Sequence, residues 1–211
     1  MILEMKWEDT IYMSKDRNIL FIGANNMNEI QHYVTKYQNG LFIEAIPTVF
    51  NQLEHNLHIA NETYNTNYKA INCLVSDKID QEYTFNVFSN NGASSSIYEP
   101  NSEAWEWPEV MPVTTIKLKS TTVEQLLKDH QWENVTYDLV LDVQGAELVV
   151  LKGFGEDNLK NIQHLTTEVS TEPFYKGGVL FNELNAFITN HGFQLNTHLS
   201  STHCDVTYSR V

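Results

Sequence analysis

Short apolar runs alternate with longer amphipathic stretches along most of the chain. Buried parallel strands are short and nearly all apolar, whereas amphipathic helices repeat every 3.6 residues, so the two patterns separate strands from helices. The predicted strands are 18–23, 41–44, 68–75, 83–88, 113–118, 137–142, 162–169, 193–199 and 203–209. The predicted helices are 29–36, a segment opened by Pro47 that buries Phe50, Leu53, Leu57 and Ala60, a segment capped by Thr121 or Thr122, 147–152 and 180–191.

Alternation of strands and helices indicates an α/β protein with a doubly wound sheet. The last two strands follow each other without a helix, which predicts an antiparallel pair at the end of the chain. A length of 211 residues suits one such domain, and we expect a single domain over 1–211.

Charge narrows the range of partners. The formal net charge is −14, so phosphate backbones and anionic lipid heads are repelled, and we expect neither nucleic acid nor membrane as a partner. Cys73 and Cys204 match no metal or redox spacing and are expected to be free thiols. Residues 1–18 show no signal-peptide core, and no run reaches the roughly 20 apolar residues of a membrane helix. These features predict a cytoplasmic protein.

Ligands of doubly wound sheets bind outside the carboxyl ends of the strands, so the residues directly after each strand are the candidates. Gly23, Ala24 and Asn25 follow the first strand and allow close approach of a ligand to the backbone; an ordinary tight turn is the alternative. Glu44 ends the second strand, at the spacing expected of a carboxylate that accepts ribose hydroxyls. The alternative for Glu44 is a cap for the next helix.

The segment 142–153 holds the strongest chemical signal. Asp142 emerges from a buried strand, a glycine turn follows, and Glu147 opens a helix. Buried carboxylates are costly unless they are used or paired, which favours a functional role for Asp142. Glu147 has the alternative of satisfying first-turn N–H groups.

Several segments together resemble the FkbM-type methyltransferases. They are Asp142-Val-Gln-Gly-Ala-Glu147 with its flanks to Gly153, Thr167-Glu168-Val169-Ser170 with Tyr175 and Gly177, the serines 94–96, and Glu44-Ala-Ile-Pro47. The resemblance runs from about Leu20 to Phe193. It implies a class I methyltransferase fold, with a seven-stranded, mostly parallel, Rossmann-like sheet and an antiparallel final strand.

The same resemblance implies S-adenosylmethionine as cofactor and O-methylation as activity, on a small-molecule or glycan acceptor such as a sugar or polyol. Gly23, Ala24 and Asn25 are then expected at the methionine part, and Glu44 at the ribose. Asn72 or Cys73 is expected near the adenine.

The first motif departs from the family pattern. Phe21 and Met27 stand where the family usually has an acidic residue and a glycine. A charged hydrogen bond is worth about 1.5–3 kcal/mol, so its loss is expected to weaken, reshape or abolish cofactor binding. The alternative function is therefore a catalytically silent binding module in a glycan-assembly pathway. A nucleotide-binding oxidoreductase is disfavoured because no Gly-x-Gly-x-x-Gly follows the first strand.

A sugar hydroxyl needs a group that takes its proton, and the candidates at strand ends are Asp142 and Glu168; we expect Asp142 to be that base. In a second hypothesis Asp142 and Glu168 together hold a divalent metal, although no histidine occupies the neighbouring turn. Tyr175, in a glycine-rich loop, is a candidate to close over the acceptor or simply a packing aromatic. Trp105 and Trp107 either stack on a sugar ring or pack as a hydrophobic plug under a long loop. The histidines show no ligand spacing beyond His55 and His58, which are expected to face solvent.

Overall fold

The computed structural model describes residues 17–211. The prediction that residues 1–18 contain no signal peptide falls almost entirely outside this range. The strands are β1 (Arg17–Ile22), β2 (Tyr37–Glu44), β3 (Asn67–Asn72), β4 (Leu74–Val75), β5 (Glu82–Phe88), β6 (Pro112–Thr121), β7 (Tyr137–Leu141), β8 (Ile162–Ser170), β9 (Phe193–Leu195) and β10 (His203–Arg210). The α-helices are α1 (Pro47–Tyr64), α2 (Val123–Asp129), α3 (Glu147–Lys152), α4 (Glu156–Leu159) and α5 (Phe181–Asn190), and a 3₁₀ turn spans Ile30–His32.

Seven strands form one sheet in the order β3-β2-β1-β7-β8-β10-β9. All pairings are parallel except those of β10, which runs antiparallel to both β8 and β9. The prediction of a doubly wound, mostly parallel seven-stranded sheet with an antiparallel final strand is confirmed. The strand order reverses between β1 and β7, and at such a switch point the carboxyl ends of the two strands open a crevice.

Helices cover both faces of the large sheet, as a parallel sheet requires. Successive β1 side chains alternate: Ile19 packs in the cluster under α1, whereas Leu20 packs in the cluster formed with α2, α3 and α5. α1 buries Val49, Leu53, Leu57 and Ala60, so the predicted face is confirmed with Val49 in place of Phe50. Within residues 17–211 every helix falls short of the combined length and apolarity that a bilayer crossing requires.

The helix predicted for 29–36 is wrong: the chain forms only the 3₁₀ turn there. Asn25 and Met27 take left-handed backbone angles, with φ of 48° and 52°. The side chains of Asn25 and Asn26 accept hydrogen bonds from nearby backbone amides. Asparagine side chains compete in this way with helical hydrogen bonds, and that competition outweighs the apolar spacing.

The predicted strand 68–75 is two strands in two sheets. β3 pairs with β2, and after Cys73 the chain leaves the large sheet so that β4 pairs with β6. β4, β6 and β5 form a separate three-stranded sheet. The sequence pattern located these strands but did not show that they form a second sheet. This small sheet stands beside the crevice and supplies one of its walls.

The irregular segment between β5 and β6 is held by an aromatic cluster. Trp105 lies 5.4 Å from the rings of Phe88 and Tyr175, and its Nε1 donates to the carbonyl oxygens of Trp107 and Val110. The Trp107 ring packs 5.1 Å from that of Phe174. Both tryptophans are half-buried in this cluster, as the plug interpretation describes.

Candidate functional site

A cavity of about 690 Å³, including the solvent at its mouth, opens at the carboxyl ends of β1, β2 and β7. It is lined from the large sheet by Gly23, Asn25, Glu44, Cys73, Asp142 and Gln144, and from the small sheet and its connecting loop by Phe85, Gly92, Ser95 and Ile97. Of the residues predicted at strand ends, Gly23, Asn25, Glu44, Cys73 and Asp142 therefore meet around one space, whereas Ala24, Asn72 and Glu168 do not line it.

Gly23 makes the close approach of β1 to β7 possible. Its φ is +86°, and a Cβ at this position would lie 1.7 Å from the carbonyl oxygen of Asp142. The amides of Gly23 and Ala24 both donate to the carbonyl of Ile43, at 3.0 and 2.9 Å. The turn thus ties β1 to β2 and β7, and only glycine fits at its first position.

The two unusual residues of the first motif lie outside the cavity. Phe21 stacks 6.1 Å from Phe42 and packs edge-on against Tyr33. Met27 is buried in the same cluster on the α1 side of the sheet, as is Ala24. Neither Phe21 nor Met27 lines the cavity, so the crevice is open.

Glu44 is a buried carboxylate in the cavity wall, 6% exposed. Its Oε1 accepts from the amide of Ile46 at 2.7 Å, and its Oε2 accepts from the amide of Asn25 at 3.0 Å. Burial raises the pKa of Glu44, while these backbone hydrogen bonds oppose the rise. Ile46 is the N-cap of α1, so Glu44 both accepts a hydrogen bond at the start of that helix and lines the cavity.

Asn72, the last residue of β3, and Cys73, the next residue, have different roles. Asn72 does not line the cavity: its amide donates to the carbonyl oxygens of Glu44 and Ala45 at 2.8 and 3.2 Å. Cys73 does line it, and burial raises the pKa of its thiol to about 12. Cys73 and Cys204 are both free, as predicted.

Three carboxylates converge at the carboxyl ends of β7 and β8. Asp142, Glu147 and Glu168 each place one oxygen so that all three lie within 4.8 Å of one another. Burial and the charge of Glu168 raise the pKa of Asp142 well above its usual range. Burial raises the pKa of Glu147 to about 7, although its Oε1 accepts from the amides of Val143 and Gly145 at 3.1 and 3.2 Å.

The side-chain amide of Gln144 joins two of these carboxylates. Its Nε2 lies 2.7 Å from Oδ1 of Asp142 and 2.6 Å from Oε2 of Glu168. The Tyr175 hydroxyl lies 2.7 Å from Gln144 Oε1 and 2.8 Å from the carbonyl of Ser94, and donates to one of them at a time. Tyr175 is buried, with its hydroxyl directed inward to Gln144.

On its other side, Glu168 pairs with a histidine that the sequence analysis did not single out. His203 Nε2 lies 2.9 Å from Oε1 of Glu168, and its Nδ1 lies 2.7 Å from Oγ of Ser170. The imidazole packs against Trp107 at 5.4 Å. Burial lowers the pKa of His203, but the hydrogen bond and charge of Glu168 outweigh it, so the net shift is upward.

The residues present do not fit a divalent metal shared by Asp142 and Glu168. A hydrogen-bond donor, the Gln144 amide, is directed at both carboxylates at hydrogen-bond distance. Oε1 of Glu147 already accepts from two backbone amides. A cation shared by Asp142 and Glu168 would have to lie where the Gln144 amide lies, against N–H groups that repel it.

Comparison with known proteins bears directly on this arrangement. The Methyltransferase FkbM domain matches residues 22–195, which include every lining residue of the cavity. The chain belongs to the FkbM methyltransferase family. A comparison with curated protein sequences finds no match.

Solved structures agree with the family at the level of the fold. The methyltransferase FkbM from Methylobacillus flagellatus KT is 12% identical with a TM-score of 0.57, over 92% of this chain and 44% of that one. The methyltransferase domain of METTL16 is 12% identical with a TM-score of 0.50, over 94% of this chain and 62% of that one. This FkbM-family chain thus has the class I methyltransferase fold and spans less than half the length of the M. flagellatus protein.

Some residues of the site were not predicted from the sequence. Gln144 stands inside the 142–147 segment of the resemblance but was given no role, because two of its side-chain partners, Glu168 and Tyr175, are distant in the sequence. His203 was not singled out because its partners Glu168 and Ser170 lie on another strand. For the part of the wall from Phe85 to Ile97, the sequence predicted the strand 83–88 and the serine segment 94–96 but assigned neither to the cavity. His55 and His58 are exposed on α1, as predicted.

Proposed function

We propose that this FkbM-family chain transfers a methyl group from S-adenosylmethionine to a hydroxyl oxygen of a sugar, glycan or related polyol. The observation that supports this most is that the Gly23 turn, Glu44 and Asp142 meet in one cavity. These are the three positions at which a nucleoside-type methyl donor needs a close backbone, a ribose acceptor and a reactive end.

For the donor, the turn of Gly23, Ala24 and Asn25 receives the methionine part through Gly23 and Asn25, which line the cavity, while Ala24 packs in the core. Glu44 receives the ribose hydroxyls: each carboxylate oxygen has two lone pairs and uses one on a backbone amide, so acceptor capacity remains. Cys73 lies at the adenine end. Asn72 acts behind it by holding the backbone of residues 44 and 45.

For the acceptor, the groups needed are a base and a surface that positions the hydroxyl. S-adenosylmethionine, when bound, supplies an activated methyl on a sulfonium leaving group, so positioning and proton removal remain for the protein. Asp142 is the base in this proposal, since its raised pKa strengthens it as a proton acceptor once ionised. Glu168 lies beside Asp142, and the Gln144 amide bonds to both carboxylates. Tyr175 contributes indirectly, through the contact of its hydroxyl with Gln144.

The charge of the site bears on the class of acceptor. Asp142, Glu147 and Glu168 lie close together, and among residues 17–211 no lysine or arginine lines the main cavity or the smaller one beside Tyr175. Phosphate groups are held by such cations in proteins. A neutral hydroxyl compound therefore suits the site better than a phosphorylated compound or a nucleic acid.

The first experiment is calorimetry with S-adenosylhomocysteine. We expect micromolar binding by the wild type and at least a tenfold weaker Kd for Glu44→Gln, which removes the charged acceptor. Glu54→Gln, on the exposed face of α1, is the matched control and should bind like the wild type. No detectable heat at millimolar ligand would refute the proposal and favour the silent binding module.

The second experiment is methyl transfer to a panel of neutral sugars and polyols. We expect an O-methyl product, identified by mass and by its NMR methyl signal. Asp142→Asn should lower kcat about 100-fold or more while S-adenosylhomocysteine still binds, because only the base is lost. Full activity of this variant would remove Asp142 from the role of base.

A further inference from the structure

Gln144 occupies a strained position in the turn between β7 and α3. Its φ is 55°, in the left-handed region that disfavours a residue with a long side chain, and it is only 8% exposed. Its carbonyl oxygen accepts a hydrogen bond from Ser96 Oγ at 2.7 Å, across 48 residues of sequence. Strain of this kind persists only when the surrounding contacts require it, which indicates that the Gln144 side chain has a specific role.

The amide of Gln144 has one orientation that satisfies its neighbours. With Nε2 directed at Asp142 and Glu168, its two N–H groups each meet a carboxylate oxygen, and Oε1 meets the Tyr175 hydroxyl. While both carboxylates are ionised, the flipped amide would place Oε1 against oxygens that offer it no donor. Tyr175 therefore holds the donor end of Gln144 toward the acids.

The acids around this amide need positive charge or its equivalent. Three carboxylate oxygens lie within 4.8 Å of one another, and His203 meets Glu168 on the oxygen that Gln144 does not use. Of the described residues, Gln144 is the one that donates to both Asp142 and Glu168. In a metal centre a bridging cation would take this position.

We infer that Gln144 is a positioning residue whose amide takes the place of a bridging cation between Asp142 and Glu168, so that the transfer centre works without a metal. The inference deepens the proposed function, on which its catalytic meaning rests. The amide holds both carboxylates side by side, and its N–H groups lie in the space between them where a bridging ion would bind. Removing the amide should therefore turn the acid cluster into a cation site.

The test is a titration with Mn²⁺, followed by calorimetry and by the Mn²⁺ signal in electron paramagnetic resonance. We expect Gln144→Ala to bind Mn²⁺ with a Kd at least tenfold lower than that of the wild type. Combination with Asp142→Asn should abolish this gain. Ser96→Ala is the matched control, since it loosens the same turn but leaves the amide, and it should behave like the wild type.

A rescue measurement separates this role from simple packing. Mn²⁺ should raise the Tm of Gln144→Ala and leave that of the wild type unchanged. Gln144→Asn, which tolerates the left-handed turn and draws the amide back, should show the same gain if the alanine variant fails to fold. Equal Kd values for wild type and variants, including no binding by any of them, would overturn the inference. The titration contains no methyl donor, so its outcome is independent of the calorimetry with S-adenosylhomocysteine.

Discussion

Replacing Gly23 with alanine tests the idea that the site depends on close contact between β1 and β7. The new Cβ would lie 1.7 Å from the carbonyl oxygen and 2.8 Å from the carbonyl carbon of Asp142, whereas ordinary contacts begin near 3.4 Å. The two strands would have to separate by well over 1 Å. That movement breaks the hydrogen bond from the Asp142 amide to the Ile22 carbonyl and disturbs the two amides bonded to Ile43.

The cost can be added from these parts. A left-handed residue with a Cβ costs about 1–2 kcal/mol, and each broken backbone hydrogen bond costs about 1 kcal/mol. With the steric strain, we expect Gly23→Ala to lower the free energy of unfolding by about 4 kcal/mol. That is a large part of the 5–15 kcal/mol typical of a domain. Binding of S-adenosylhomocysteine should be lost with it.

Gly192→Ala is the matched control for this experiment. Gly192 has nearly the same φ, +82°, but a Cβ there would meet only Arg210 Nη1, at 3.5 Å. Its cost should be that of the left-handed backbone alone, about 1–2 kcal/mol. Urea unfolding followed by circular dichroism measures both variants. If Gly23→Ala and Gly192→Ala lower the stability by the same amount, the contact of β1 with Asp142 does not constrain the site as argued.

Three further predictions follow from single residues. The folded-state pKa of Glu147, about 7, lies above its unfolded value, so its ionisation destabilises the fold as pH rises; Glu147→Gln should gain about 2 kcal/mol relative to wild type between pH 5.5 and 8 in urea unfolding, and a pH-independent difference would contradict this. Met27→Gly relieves a left-handed residue but removes a buried side chain, and should lower stability by about 1–3 kcal/mol; a gain would show that strain dominates. With an aromatic disulfide reagent at pH 8, Cys204 should react quickly, because its hydrogen bonds to Ser201 and Ser200 outweigh burial and lower its pKa, while Cys73 reacts slowly; Cys204→Ser should lose the fast phase.

Much of the fold was predictable because burial leaves a local pattern. The apolar run of β7 and the apolar face of α1 follow directly from which side chains meet the core. The wrong helix prediction has an equally local cause. The segment 29–36 has helical spacing, but the side chains of Asn25 and Asn26 accept hydrogen bonds from the amides of Asn26 and Asn28, and a pattern of apolar residues does not report that competition.

The candidate site was predictable in part for the same reason. Gly23, Glu44 and Asp142 each follow a strand, and parallel strands bring their carboxyl ends to one edge. Which residues then touch was not predictable: Ser96 lies 48 positions from Gln144, and His203 reaches Glu168 from a strand that enters the sheet last.

By itself, the sequence determined most of the strands and helices, the edge of the sheet that holds the candidate site, and the carboxylates at that edge. Only the tertiary structure decided that the amide of Gln144 lies between Asp142 and Glu168, and that a second sheet closes the cavity. The physical reason is that hydrophobic periodicity records the burial of each segment alone. Hydrogen bonds between distant segments depend on how those segments pack, and they leave no periodic trace in the chain.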